Sequence, residues 1–208
     1  MSRAAQIHFL NRFAAAYDPA VRLMGFNAMW RALADSAAPA PGERALDVCT
    51  GTGGVAWELW RRGAQVIGLD LAEGMLRRAG RKPASTTHAP PLYARMDARR
   101  LAFRDRAFSL VTCSMALHEM AESEREQVLG ELARVAAGRV VIGEYRVPTG
   151  RGAALLFRAT RSFEYLESDD FPHFLRRDLG ERLEGAGLTV HSVRHVGAYG
   201  IWSCGRRA

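Results

Sequence analysis

Residues 45–54 read ALDVCTGTGG. A short apolar run carries one acid, Asp47, and then breaks into Gly51, Gly53 and Gly54. A helical pattern follows over 55–62 and closes at Gly63. Strand, glycine turn and helix in this order place backbone N–H groups at the helix N-terminus, beside residues that carry no side chain. In open α/β sheets such turns form ligand sites at the carboxyl ends of the strands. A cofactor site is therefore expected here.

Downstream, strands and helices continue to alternate. Strands are predicted over 44–48, 65–69, 92–96, 108–114 and 139–144. Helices are predicted over 72–81 and 123–137, the latter opened by a capping box of Ser123 and Glu126. Its core face is Val128, Leu129, Leu132 and Val135. Short apolar strands alternating with helices predict a parallel sheet covered on both faces. The last strands, 189–196 and 201–204, meet across 197–200 as an antiparallel hairpin. The expected fold is α/β, a Rossmann-like doubly wound seven-stranded sheet with an N-terminal helical lid. Residues 1–42 are expected to be lid and linker, 43–208 the cofactor-binding domain, and 152–186 a helical roof bearing Phe157, Phe163, Phe171 and Phe174.

Two cofactors compete for the loop. The run from Gly51 to Ala56 matches the dinucleotide pattern G-x-G-x-x-A, with Asp70 at the distance of a ribose-binding acid. Against a dinucleotide, Asp47 precedes the glycines and would repel a pyrophosphate. A further acid, Asp97, ends the third strand, and no phosphate-gripping arginine follows in the loop. A cationic ligand with a ribose diol and an adenine suits these acids better, and S-adenosyl-L-methionine has all three features.

At this point the sequence resembles the class I S-adenosylmethionine-dependent methyltransferases, through ALDVCTGTGG, VIGLDLAEGML, MDARRLAFRDRAFSLV and SMALHEM, in order, over about 43–145. The resemblance implies that Asp47, Gly51 and Gly53 line the methionine portion, with Cys49 between them. It implies that Asp70 holds the ribose hydroxyls and that Leu71 lies beside the adenine, with Met75 in the same cofactor-binding set. Asp97 and Ala98 would meet the adenine, and Ser114 and Leu117 the reacting end. Cys49, Thr50 and Ser109 depart from the family's usual residues. The segment NRFAAAYDPAVRLMGF is similar to the ubiquinone/menaquinone C-methyltransferase group, whose pattern makes Tyr17 part of a lid.

A methyltransferase needs a base only where its acceptor must lose a proton. The candidates are His118, Glu119 and Tyr145, with Glu144 and His173 beside them. The expected acceptor is a small or lipid-like molecule. The alternatives are a nucleic-acid methyltransferase and a non-catalytic protein that binds the same cofactor. The former lacks an N/D-P-P-Y/F motif after strand four.

The composition agrees with one globular domain: 208 residues, 48% hydrophobic and 25% charged. The net charge of +7 rests on arginines scattered in pairs, with Lys82 the lone lysine, which gives no strong nucleic-acid signal but leaves room for peripheral membrane contact. No apolar run reaches the roughly 20 residues of a membrane span, and no signal-peptide core is present, so a cytoplasmic protein is expected. Cys49, Cys113 and Cys204 have neither disulfide nor metal-ligand spacing.

Overall fold

The computed structural model describes residues 7, 8, 11, 12, 26–82, 89–146 and 170–207. In chain order its elements are α1 (Phe26–Ala37), β1 (Arg44–Val48), α2 (Gly54–Arg61), β2 (Gln65–Asp70), α3 (Glu73–Gly80), β3 (Leu92–Arg95), β4 (Phe108–Ser114), a 3-10 turn (Leu117–Glu119), α4 (Glu122–Val135), β5 (Ala136–Tyr145), α5 (Phe171–Arg176), α6 (Leu179–Gly185), β6 (Leu188–Val196) and β7 (Tyr199–Arg206). Tyr17, Phe157 and Phe163 lie outside the described residues.

The seven strands form one sheet in the order β3-β2-β1-β4-β5-β7-β6. The pairs among β1 to β5 are parallel, and β7 runs antiparallel to both β5 and β6. The chain leaves β1 toward β2 on one side and returns to β4 on the other, which opens a crevice at the carboxyl ends of β1 and β4. Central strands covered on both faces can be apolar throughout. Accordingly Ala45, Leu46 and Val48 of β1 and Leu110, Val111 and Cys113 of β4 are wholly buried. β3 is instead an edge strand, with Leu92 67% exposed, so only one side of it pairs and little of it is covered.

Most boundaries lie within two residues of the sequence expectation, and β7 starts at Tyr199, which narrows the hairpin turn to Gly197 and Ala198; two differences have a visible physical cause. α4 begins at Glu122, its N-cap is Ala121, and no side chain caps it. Ser123 lies inside the first turn, so the expected capping box is absent; Glu122 and Glu124 complement the helix dipole there instead. β5 starts three residues early, directly after α4, because a register shift opposite Ser109 lets Gly138 pass. A Cβ on Gly138 would stand 2.5 Å from the Ser109 carbonyl oxygen.

α1 is a core element. Met29, Leu33, Ala34 and Ala37 are wholly buried in the cluster that also holds the sheet residues. Burial of side chains of the Leu and Met size stabilises by about 1.5–3 kcal/mol each. Of the expected 152–186 roof, the described part is the two short helices α5 and α6. The guanidinium groups of Arg125 and Arg182 both lie over the Phe174 ring, at 5.1 and 5.5 Å from its centre. Arg182 donates to the Phe174 carbonyl and to Glu122, which ties α5 and α6 to the start of α4.

Candidate active site

The three glycines of the loop are small for different reasons. Gly51 has φ +54° and open space where its Cβ would be, so it borders the crevice. Gly53 has φ +77°, and a Cβ there would meet the Tyr93 hydroxyl at 2.5 Å. Gly54 is covered by the Trp30 ring of α1. Bare backbone therefore faces the crevice at Gly51, whereas Gly53 and Gly54 make room for the protein's own aromatic rings.

Asp47 is buried beneath the loop and is not in the crevice wall. It accepts hydrogen bonds from the Thr50 and Thr112 hydroxyls at 2.5 and 2.7 Å. Burial pushes its carboxyl up to about 6; the Thr50, Thr112 and Ala56 hydrogen bonds oppose that shift, and the Asp70 charge adds to it. Asp47 thus pins the loop to β4 from behind, and the expected direct contact with a ligand is not what its position provides. Next to it, the Tyr93 hydroxyl is buried and has no hydrogen-bond partner among the described residues; the nearby Trp57 indole donates to the Ala79 carbonyl. Tyr93→Phe is expected to stabilise the fold by about 1 kcal/mol, because an unsatisfied buried hydroxyl costs that much or more. A lower urea midpoint for the variant would show that the hydroxyl has a partner.

The crevice is lined by Val48, Cys49, Thr50, Gly51 and Thr52 after β1; by Leu69, Asp70, Leu71 and Met75 from β2 into α3; and by Met96 and Ala98 after β3. Ser114, Met115, Ala116, Glu119, Met120 and Glu124 close it on the β4 side, with Ile7, Phe26 and Trp30 from the N-terminal part. Cys49 and Met115 both have positive φ, 57° and 52°, at the ends of β1 and β4. Such backbone is uncommon for residues with a Cβ and gathers at functional sites.

Asp70 joins two loops. Its Oδ2 accepts from the Gly51 N–H and its Oδ1 from the Ala72 N–H, both at 2.8 Å. A carboxylate offers about four acceptor positions, so the same group can also receive hydroxyls. Asp97 stands apart from the wall. It is turned to Arg99, which pairs with it at 2.7 Å and with Glu124 at 2.8 Å.

The candidate bases divide. Glu119 is in the wall, and His118 and Tyr145 lie behind it, 2% exposed each. His118 packs edge-on to Tyr145, Phe171 and Phe174. Phe171 is therefore core, not a surface of the crevice. Leu117 is wholly buried and outside the wall, and His173 is exposed on α5. Sequence reasoning did not single out Thr52, Met96, Met115 or Glu124. The first three carry no periodic signal, and Glu124 reads simply as a helix-start acid.

The wall carries three carboxylates, Asp70, Glu119 and Glu124, and no arginine or lysine among the described residues. In a chain of net charge +7 this is a local reversal of sign. A phosphate-bearing dinucleotide would be repelled, whereas a cation would be held. With the open backbone at Gly51, the Asp70 carboxylate, and the apolar slot of Leu71, Met75, Met96 and Ala98, these residues fit S-adenosylmethionine.

Comparison with known proteins agrees. The methyltransferase-domain family matches residues 45–138. The demethylmenaquinone methyltransferase of Thermus thermophilus is 38% identical over 155 residues, 71% of this chain and 69% of that one. The enzyme of that name from Clavibacter sepedonicus is 37% identical over 139 residues, 64% of this chain and 55% of its own length. Among solved structures, a chain from the complex between the Haloferax volcanii Trm112 methyltransferase activator and a methyltransferase superposes with TM-score 0.71 at 16% identity, over 96% of this chain and 98% of that one. That last likeness is one of fold. The chain belongs to the class I S-adenosylmethionine-dependent methyltransferases, in the group that contains the demethylmenaquinone methyltransferases.

Proposed function

We propose that this methyltransferase acts on a hydroxylated ring of the quinol class, bound at the apolar mouth of the crevice, with Glu119 as its base. The cofactor part of this reading is carried by the sign of the wall: three carboxylates and, among the described residues, no arginine or lysine, in a chain of net charge +7. When bound, the cofactor supplies an electrophilic methyl group on a sulfonium. Asp70 would hold the ribose hydroxyls, Leu71, Met75, Met96 and Ala98 the adenine, and Gly51 the methionine portion. Asp97 would contribute only through Arg99 and Glu124.

Phe26, Trp30, Met115 and Met120 line the same crevice as Glu119. Apolar and aromatic walls bury flat ligands, while a few polar groups orient them. Of the candidate bases, Glu119 lines the crevice, which supports its assignment. The names of the similar enzymes support the acceptor class.

The N-terminal segment is proposed as a lid that excludes water. Ile7 stands in the crevice wall and packs against Ala72 and Met75, and Asn11 accepts a hydrogen bond from the Gly74 N–H at 2.6 Å. Among the described residues no helix is long and apolar enough to cross a membrane. A lipid-like acceptor would then be met at a membrane surface, where the scattered arginines favour anionic lipid.

The test is calorimetry with S-adenosylhomocysteine and NAD, followed by mass spectrometry of demethylmenaquinol and a panel of phenols, amines and nucleic acids. Binding of the first ligand alone and methylation of the quinol are expected. NAD binding without a response to S-adenosylhomocysteine would end the cofactor assignment. Methylation confined to amines or nucleic acid would end the acceptor assignment.

A further inference from the structure

Three ionisable groups run inward from the crevice wall. Glu119 Oε1 lies 3.9 Å from His118 Nε2, and His118 Nδ1 lies 2.9 Å from Glu144 Oε2. Glu144 is wholly buried, at the end of β5. Its Oε1 accepts the Ala116 and Leu117 N–H groups at 2.8 and 2.7 Å. Its Oε2 also accepts the Tyr145 N–H, at 3.1 Å.

The chemistry of these partners settles the ring. All three backbone groups are donors, so Glu144 meets them best as an ionised carboxylate, which only accepts. The bond to His118 then requires Nδ1 to carry hydrogen. That leaves the Nε2 lone pair on the side of Glu119. Arg125 on α4 and the Cys113 thiol on β4 also interact with Glu144. Tyr145, Phe171 and Phe174 pack round the ring and exclude water.

We propose that Glu144 is a positioning residue: it holds His118 as the Nδ1–H tautomer, so that Nε2 receives the proton that Glu119 takes from the acceptor. This rests on the methyltransferase reading above in its use of Glu119. The proton moves from the acceptor to Glu119 Oε1 and then to His118 Nε2. Glu119 returns to carboxylate, the imidazole becomes imidazolium, and Glu144 stays ionised beside it. A buried imidazolium next to a buried carboxylate is a neutral pair, which avoids the cost of an isolated buried charge. The 3.9 Å gap is longer than a hydrogen bond, and the Glu119 side chain, 34% exposed, closes it by rotation. After the product leaves, the proton returns to solvent through Glu119.

The tautomer can be read by nitrogen-15 NMR of the histidine ring, with S-adenosylhomocysteine present and no acceptor needed. The expected form is Nδ1–H for His118 in the wild-type protein. In Glu144→Gln the amide NH₂ donates to Nδ1, and the ring is expected to switch to Nε2–H. A wild-type ring in the Nε2–H form would overturn the proposal, and this holds even if the variant does not fold. With a methyl acceptor, Glu144→Gln is expected to lower the single-turnover rate roughly 10²-fold, the scale of lost acid–base assistance, at unchanged S-adenosylhomocysteine affinity. Glu144→Asp should restore part of the rate. A rate that falls only in step with cofactor affinity would make Glu144 structural alone. If S-adenosylhomocysteine does not bind, the methyltransferase reading fails, while the tautomer of the free protein still judges the Glu144–His118 pair separately.

Discussion

Replacing Asp70 by alanine is expected to weaken S-adenosylhomocysteine binding by about 3 kcal/mol, roughly two orders of magnitude. Two effects act together. Hydrogen bonds from ligand hydroxyls to a charged carboxylate contribute about 1.5–3 kcal/mol each. The same carboxylate also accepts the Gly51 and Ala72 N–H groups, so alanine leaves both loops without their shared partner. Asp70→Asn keeps the shape and one acceptor oxygen, so its loss should be smaller. Calorimetry gives the affinities, and thermal melting without ligand separates loosened loops from lost contact. Unchanged affinity in the alanine variant would remove Asp70 from the site.

The second large effect concerns Asp47 and pH. Its carboxyl is raised from 3.8 to about 6 by burial. Between these values the native protein keeps a proton that the unfolded chain has already lost. Stability therefore falls as pH rises from about 4 to 6 and is level above that range. At about 1.4 kcal/mol for each pH unit of displacement, the contribution is on the order of 3 kcal/mol. Asp47→Asn removes the titration. The difference in unfolding free energy between wild type and variant should then change by that amount between pH ~4 and ~7. A pH-independent difference in urea unfolding would show that Asp47 ionises normally in the fold.

The strands and the crevice were legible because their signals are local. Strand ends at Val48, Asp70 and Ser114 follow from apolar runs that stop at acids, glycines or small residues. The glycine loop and Asp70 carry their spacing in the chain itself. Asp47 stands out as an acid in an apolar run, and its partner Thr50 is local, but its other partner is set by strand pairing: Thr112 is its register neighbour on β4, 65 residues away. The roles of Gly53 and Gly54 depend on Tyr93 and Trp30, which arrive from an edge strand and from α1. Long-range packing of that kind leaves no periodic trace. Ser123 misled for a related reason: S-x-x-E satisfies the capping pattern, yet the turn after Met120 is held by Arg125, which donates to the Met120 and Leu117 carbonyls and lets the helix start one residue earlier.

Trp30 sets a mechanical boundary. Its ring covers Gly54 at the first turn of α2, and the rest of α1 is wedged into the sheet by Met29 and Leu33. A hinge inside α1 would draw the indole off that glycine and uncork the hydrophobic interior, so α1 must behave as a fixed post. Any swinging part of the N-terminal segment has to pivot ahead of Phe26, on a shorter lever than residues 1–42 would give. The post also abuts the backbone of Gly54, so a shift of α1 would be felt first at the turn between β1 and α2.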